Sequence, residues 1–155
     1  MEEITVKRID HLGLVAGVIQ DLGLVHKIDI LLPGEHKVST GNAVAAMILN
    51  GLGFTDRPLS LTAEFFEEIA VSRLIGEGVS HVDLNRHRLG RCLDDVAEFG
   101  VSKLFAEVAA DVAVQEGVST DRFHRRVACN CKFASALPER KRRLFFVINS
   151  YFCTL

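Results

Sequence analysis

Arg86, His87, Arg88 and Arg91 carry the clearest chemical signal of this sequence, all within "LNRHRLGRCLDDVAEFG". They fall in the first turns of a helix that Asn85 is placed to cap. Cations at a helix N-terminus oppose its dipole, at a cost of a few tenths of a kcal/mol each when exposed. A choice made against local stability points to a task such as phosphate contact. There, guanidinium groups and the free N–H groups of the first turn act together. The competing reading is structural: Asp83, Glu77 or Asp94 neutralises the cluster, or Arg91 pairs along its own helix. Lys37 and Arg57 flank the central helix and join Arg86, Arg88 and Arg91 as candidate DNA-binding residues.

Other reactive side chains make poorer constellations. Glu67–Glu68 and Asp94–Asp95 are adjacent pairs, and neighbours on a helix point about 100° apart, so neither pair converges on one substrate atom. The six histidines, His11, His26, His36, His81, His87 and His124, form no H-E-x-x-H motif and no i, i+4 helical pair. His124, Cys129, Cys131 and Cys153 are zinc-ligand types. Cys-x-Cys is shorter than the usual Cys-x2-Cys knuckle, however, and the fourth ligand is remote, so no metal site is expected. Gly-x-Ser-x-Gly, Walker and Gly-x-Gly-x-x-Gly motifs are missing, and Gly51-Leu-Gly53 reads as a helix stop. No cofactor and no small-molecule ligand are expected.

Composition narrows the class further. A chain of 155 residues with 48% apolar content has the size and hydrophobicity of one globular domain. Trp is absent and Tyr occurs once, which argues against an aromatic platform for single strands or sugars. The net charge of −2 hides an asymmetry: residues 122–155 carry eight Lys and Arg against Glu139 alone, a net +7, leaving −9 on residues 1–121. A basic arm of this kind binds nucleic acid or docks on its own acidic body. No apolar run reaches the roughly 20 residues of a membrane span. With no visible signal peptide, the four cysteines read as free thiols in a reducing cytoplasm.

The elements that must position these residues follow from periodicity. "ITVKRI", residues 4–9, alternates like a short strand. Asp10 is the expected cap of a helix with Leu14, Val15, Val18, Ile19 and Leu22 on one face, stopped by Gly23. "LVHKIDILLP" is a short helix or turn ended by Pro33. "STGNAVAAMILNGLGF" reads as the core helix, capped by Ser39 or Thr40, closed by Gly51 or Gly53, and flanked by small alanines that suit close packing. A helix capped by Thr62 follows, with Phe65, Phe66 and Ile69 inward. The helix after Asn85 buries Leu89, Cys92, Leu93 and Val96 and breaks at Gly100. Ser102 caps the last helix, which buries Phe105, Val108, Ala109 and Val112 and ends at Gly117. The expectation is an all-α compact bundle of about six helices over residues 1–121, containing a helix-turn-helix-like hairpin, with an irregular basic tail over 122–155.

"DHLGLVAGVIQDLGLV", "HKVSTGNAVAAMILNGLGF", "RPLSLTAEFFEE", "LIGEGV" and "LNRHRLGRCLDDVAEFGVSKLF" together carry a resemblance. In that order they resemble the N-terminal domain, catalogued as of unknown function, of a family of bacterial and archaeal insertion-sequence transposases. The similarity runs over about residues 8–124 and is most specific from Lys37 to Phe54. It departs from the family at "LNRHRLGR", where acids are expected after the Asn.

The resemblance implies a following RNase H-like domain of the DDE type. Its first Asp would sit on a strand after "RFH", and three carboxylates would hold paired Mg²⁺ ions for in-line attack on phosphate. Here the residues after His124 are "RRVACNCKF", and residues 125–155 contain no Asp. A departure from the ancestral reading frame near His124 is the expected cause of the odd charge and cysteines of 122–155. The chain is therefore expected to be non-catalytic. It would serve transposon-end binding to double-stranded DNA, or dimerisation and assembly with the parent transposase, or persist as a relic.

Overall fold

The structure, a computed structural model, describes residues 6–52 and 58–117. Seven α-helices lie among these residues: α1 (Leu12–Asp21), α2 (Leu24–Leu31), α3 (Thr40–Gly51), α4 (Thr62–Phe65), α5 (Val71–Leu74), α6 (Arg86–Phe99) and α7 (Val101–Gln115). Short 3-10 turns at Leu59–Leu61 and His81–Asp83 precede α4 and α6. The all-α architecture is as expected. Residues 122–155 and Arg57, with the expectations that fall on them, lie outside the described residues.

The core is built around α3. Every residue from Ala43 to Asn50 is buried, as are Thr40 and Gly41, so this helix is surrounded rather than laid on a surface. The alanines of "NAVAAM" make that possible, because small side chains let helices approach on several sides. Gly41 marks the tightest approach: a Cβ there would collide with the carbonyl oxygen of Val25 on α2 and come 2.9 Å from Asp29 Oδ1. Ser39 caps the helix as expected, its Oγ accepting from Asn42 N at 3.1 Å. Asp29 adds a second cap from outside the helix, accepting from Gly41 N at 2.6 Å.

Helices α1, α2 and α6 pack on α3, and α7 closes the bundle against α2 and α6. Gln115, the last residue of α7, fastens the closing end. Its Oε1 accepts from Lys27 Nζ at 3.0 Å, and its Nε2 donates to the carbonyl oxygen of Asp21 at 2.9 Å.

Several expected details differ. Asp10 does not cap α1. It adopts a φ of 45° and takes its carboxylate to Arg8, Oδ2 lying 2.9 Å from the guanidinium, so α1 opens from His11 without a side-chain cap. The expected strand near residue 8 is a single parallel bridge between Arg8 and Ile69. That bridge breaks the helix expected after Thr62: Arg8 N donates to Glu68 O at 2.9 Å and Ala70 N to Arg8 O at 3.0 Å, diverting the backbone groups a continuous helix would need. The segment therefore divides into α4 and α5. Thr62 becomes a buried residue of α4 instead of its cap, while Phe66 and Ile69 do face the core.

Gly23, with φ 61°, ends α1 and opens α2. The close of α3 falls on Leu52, not Gly51, and Gly53 lies outside the described residues. Gly100, with φ 97°, is the sole residue between α6 and α7. This joint is tighter than the three- or four-residue turn of a DNA-reading helix pair. It also starts α7 at Val101, so Ser102 makes no capping bond.

Candidate nucleic-acid interface

Asn85 organises the first turn of α6. With extended backbone, its Oδ1 accepts from His87 N at 3.1 Å and Arg88 N at 3.0 Å. These are N–H groups that a phosphate would otherwise approach. An internal cap occupies them, which leaves side chains rather than backbone as the donors free for an anion at this end.

The four basic residues of this turn divide by burial. Arg88 is 5% exposed and belongs to the core. Its Nε donates to Val38 O at 2.8 Å and its Nη2 to Thr40 Oγ1 at 3.3 Å, while Nη1 has no partner among the described residues. Arg88 therefore departs from its expected role as a phosphate contact. Helical periodicity turns it toward α3 on the same face as Leu89 and Cys92, where its donors satisfy the chain entering that helix. Arg86, His87 and Arg91 are exposed. Arg91 Nε donates to His87 O at 3.3 Å, one turn back along the helix.

None of the three exposed residues forms an ion pair among the described residues, where the pairs are Arg8–Asp10 and Lys37–Asp83. The neutralisation by Asp83, Glu77 or Asp94 considered above is thus absent for Arg86 and Arg91.

Asp83 pairs instead with Lys37, Nζ to Oδ1 at 2.8 Å. Its other oxygen accepts from Ser80 N at 3.0 Å and Ser80 Oγ at 2.7 Å. The Lys37 ammonium, then the two Ser80 bonds, lower its pKa to about 2. Lys37 adjoins Val38, the residue that Arg88 holds, so the loop entering α3 and the first turn of α6 are fastened together. The structure thereby brings Lys37, Arg86, His87 and Arg91 onto neighbouring backbone.

Beneath this surface, the Cys92 thiol lies 3.7 Å from Thr40 O. Burial raises its pKa to about 11, Asp95 and Asp29 acting in the same direction and Arg88 against it. No group of three or more His, Cys, Asp or Glu able to hold a metal ion occurs among the described residues. The candidate zinc set of His124, Cys129, Cys131 and Cys153 lies outside them. No helix among the described residues is long and apolar enough to cross a membrane.

Asp83, which fastens the patch, and Asp29, which caps α3, were not legible as such in the sequence. Asp83 had a detectable signal, the Ser80-x-x-Asp83 spacing of a capping box. Asp29 had none, since it acts across helices.

An all-α domain with a basic turn at one helix end is the class that fold and surface define. The chain belongs to a family described as a domain of unknown function (DUF4277), whose model matches residues 4–110. That span takes in all of α1 to α6 and most of α7. No curated protein and no solved structure matches the chain.

Proposed function

We propose that this domain binds the phosphate backbone of double-stranded DNA through Arg86, His87 and Arg91, as a non-catalytic, end-recognising module of an insertion-sequence transposase. The observation that carries the binding surface is the exposure of these three side chains within the first two turns of α6, without an acidic partner among the described residues. The transposase assignment rests on the sequence resemblance. The non-catalytic reading is supported by residues 125–155, which hold no Asp at the place after "RFH" where the resemblance implies the first metal ligand.

Electrophoretic shift and fluorescence anisotropy with a duplex carrying terminal repeats test the proposal. Two to three neutralised phosphates give a slope of log Kobs against log salt of about −2 to −3. Arg86→Ala and Arg91→Ala each flatten it by about 0.9 and weaken binding on every duplex alike. A flat salt response overturns the reading. Incubation with a supercoiled plasmid in magnesium buffer yields no nicks.

A second reading, a dimerisation or assembly module, draws on the exposed apolar side chains of Leu14, Ile30 and Val114 and on the acidic body. Sedimentation of the full chain without DNA separates the two. A stable dimer with no salt-dependent DNA affinity favours assembly.

A further inference from the structure

Asp83 takes up the Lys37 ammonium, a group that a phosphate oxygen could equally accept from. Its Oδ1 receives the Lys37 ammonium at 2.8 Å, and its Oδ2 is held by the main chain and hydroxyl of Ser80. The two partners differ in freedom. Asp83 is pinned by a local turn, and its side chain is 17% exposed; the Lys37 side chain is 68% exposed on a flexible stem. The backbone beside Lys37 is fixed by Arg88 through Val38 O, so the ammonium stays close to the first turn of α6. An exposed ion pair of this kind is weak, so its significance lies in what it occupies rather than in what it stabilises.

We propose that Asp83 is an internal competitor for phosphate that withholds Lys37 from the DNA-binding surface and so limits non-specific affinity. This rests on the DNA-binding reading above and specifies its regulation. By sequence, four basic residues lie here, Lys37, Arg86, His87 and Arg91. One of them is neutralised within the protein, and the neutralising carboxylate adds a negative charge next to the approaching backbone. Two like charges a few ångströms apart in water repel by about 1 kcal/mol, which corresponds to about fivefold in affinity. Removing the carboxylate frees one ammonium, and each further neutralised phosphate steepens the salt slope by about 0.9.

The test is a mutant cycle on the full chain, reading Kobs for a duplex of random sequence across a salt series. Asp83→Asn keeps an acceptor for Ser80 N–H and is expected to raise affinity about fivefold at low salt, with a slope steeper by about 0.9. Lys37→Met in the Asp83→Asn background is expected to cancel the gain in slope. Lys37→Met alone is expected to leave the wild-type slope unchanged, because that ammonium is already taken. This single variant keeps the proposal testable should Asp83→Asn fold poorly.

Two results overturn the proposal while leaving the DNA-binding reading intact: a flatter slope for Lys37→Met alone, or an equal steepening of the slope by Asp83→Asn with and without Lys37. Absence of salt-dependent binding by the wild-type chain and Asp83→Asn alike overturns both.

Discussion

Arg88 Nε and the carbonyl oxygen of Val38, 50 residues apart in sequence, meet at 2.8 Å in the interior. The bond joins the first turn of α6 to the residue before the Ser39 cap of α3. Removing its donor leaves a buried carbonyl bare and opens space beside Leu89 and Cys92. Arg88→Ala is therefore expected to destabilise the fold by about 2–4 kcal/mol. Arg88→Met, which keeps the volume but not the donors, is expected to cost less. Urea denaturation of the full chain measures both. Neither variant should change the salt slope of the proposed DNA binding, provided the protein remains folded, because this guanidinium does not reach solvent.

Two glycines on neighbouring helices predict opposite responses to the same substitution. A methyl group on Gly41 would run into Val25 O and the Asp29 carboxylate, with backbone on one side that cannot retreat. Gly41→Ala is expected to cost about 1–3 kcal/mol, since α2 must move away from α3. Gly90, inside α6, has no atom within 4 Å of a built Cβ. Gly90→Ala is expected to stabilise by about 0.5–1 kcal/mol through helix propensity and a less flexible unfolded chain. Paired thermal melts give the two signs directly.

The parts of the fold visible in the sequence are those set by contacts within a few residues. Ser39 and Asn85 are caps because a short polar side chain reaches donors two or three residues on, and both do so. Gly23, Gly100 and Gly117 break helices through positive φ, a property of the residue itself. Asp10 and Thr62 have the same local credentials and do not cap. Asp10 is taken by Arg8. Thr62 is displaced because the 3-10 turn Leu59–Leu61 runs straight into α4, so that Leu61 takes the cap position. Arg88 is the sharpest case in the candidate surface. Charge and spacing group it with Arg86 and Arg91, but the i, i+1, i+4 relation to Leu89 and Cys92 places it on the buried face. That relation could have been read in advance; its acceptors at Val38 and Thr40 could not.

Asp83 makes stability sensitive to acid in a defined window. Its folded pKa, about 2, lies below the ordinary value of 3.8, because the Lys37 ammonium and the Ser80 donors favour the carboxylate. On lowering the pH, the unfolded chain takes up this proton first. The contribution is therefore complete above the unfolded pKa and is lost as pH falls from about 3.8 through about 2. Asp83→Asn cannot titrate. The stability difference between wild type and Asp83→Asn should be constant from pH 7 to 5 and shift against the wild type below pH 4. Guanidinium unfolding monitored by circular dichroism at each pH follows this difference.

Cys92 titrates at the other extreme. Burial among Leu89, Val96 and the start of α3 raises its pKa from 9.0 to about 11, since a thiolate there would lose its hydration. The unfolded chain releases the proton near 9 and the folded chain only near 11. This residue's contribution is therefore complete below pH 9 and declines between pH 9 and 11. Cys92→Ala and Cys92→Ser should both abolish that decline. Cys92→Ser should also be less stable at pH 7, where a shorter hydroxyl side chain fills the thiol's volume poorly. The thiol also has little thiolate and no open approach in the native state. Iodoacetamide at pH 8 should leave the Cys92 peptide unmodified in native protein and label it fully in 6 M guanidinium, as read by peptide mass mapping. Labelling of the native Cys92 peptide at the denatured rate would mean that α6 leaves α3 on the timescale of the reaction.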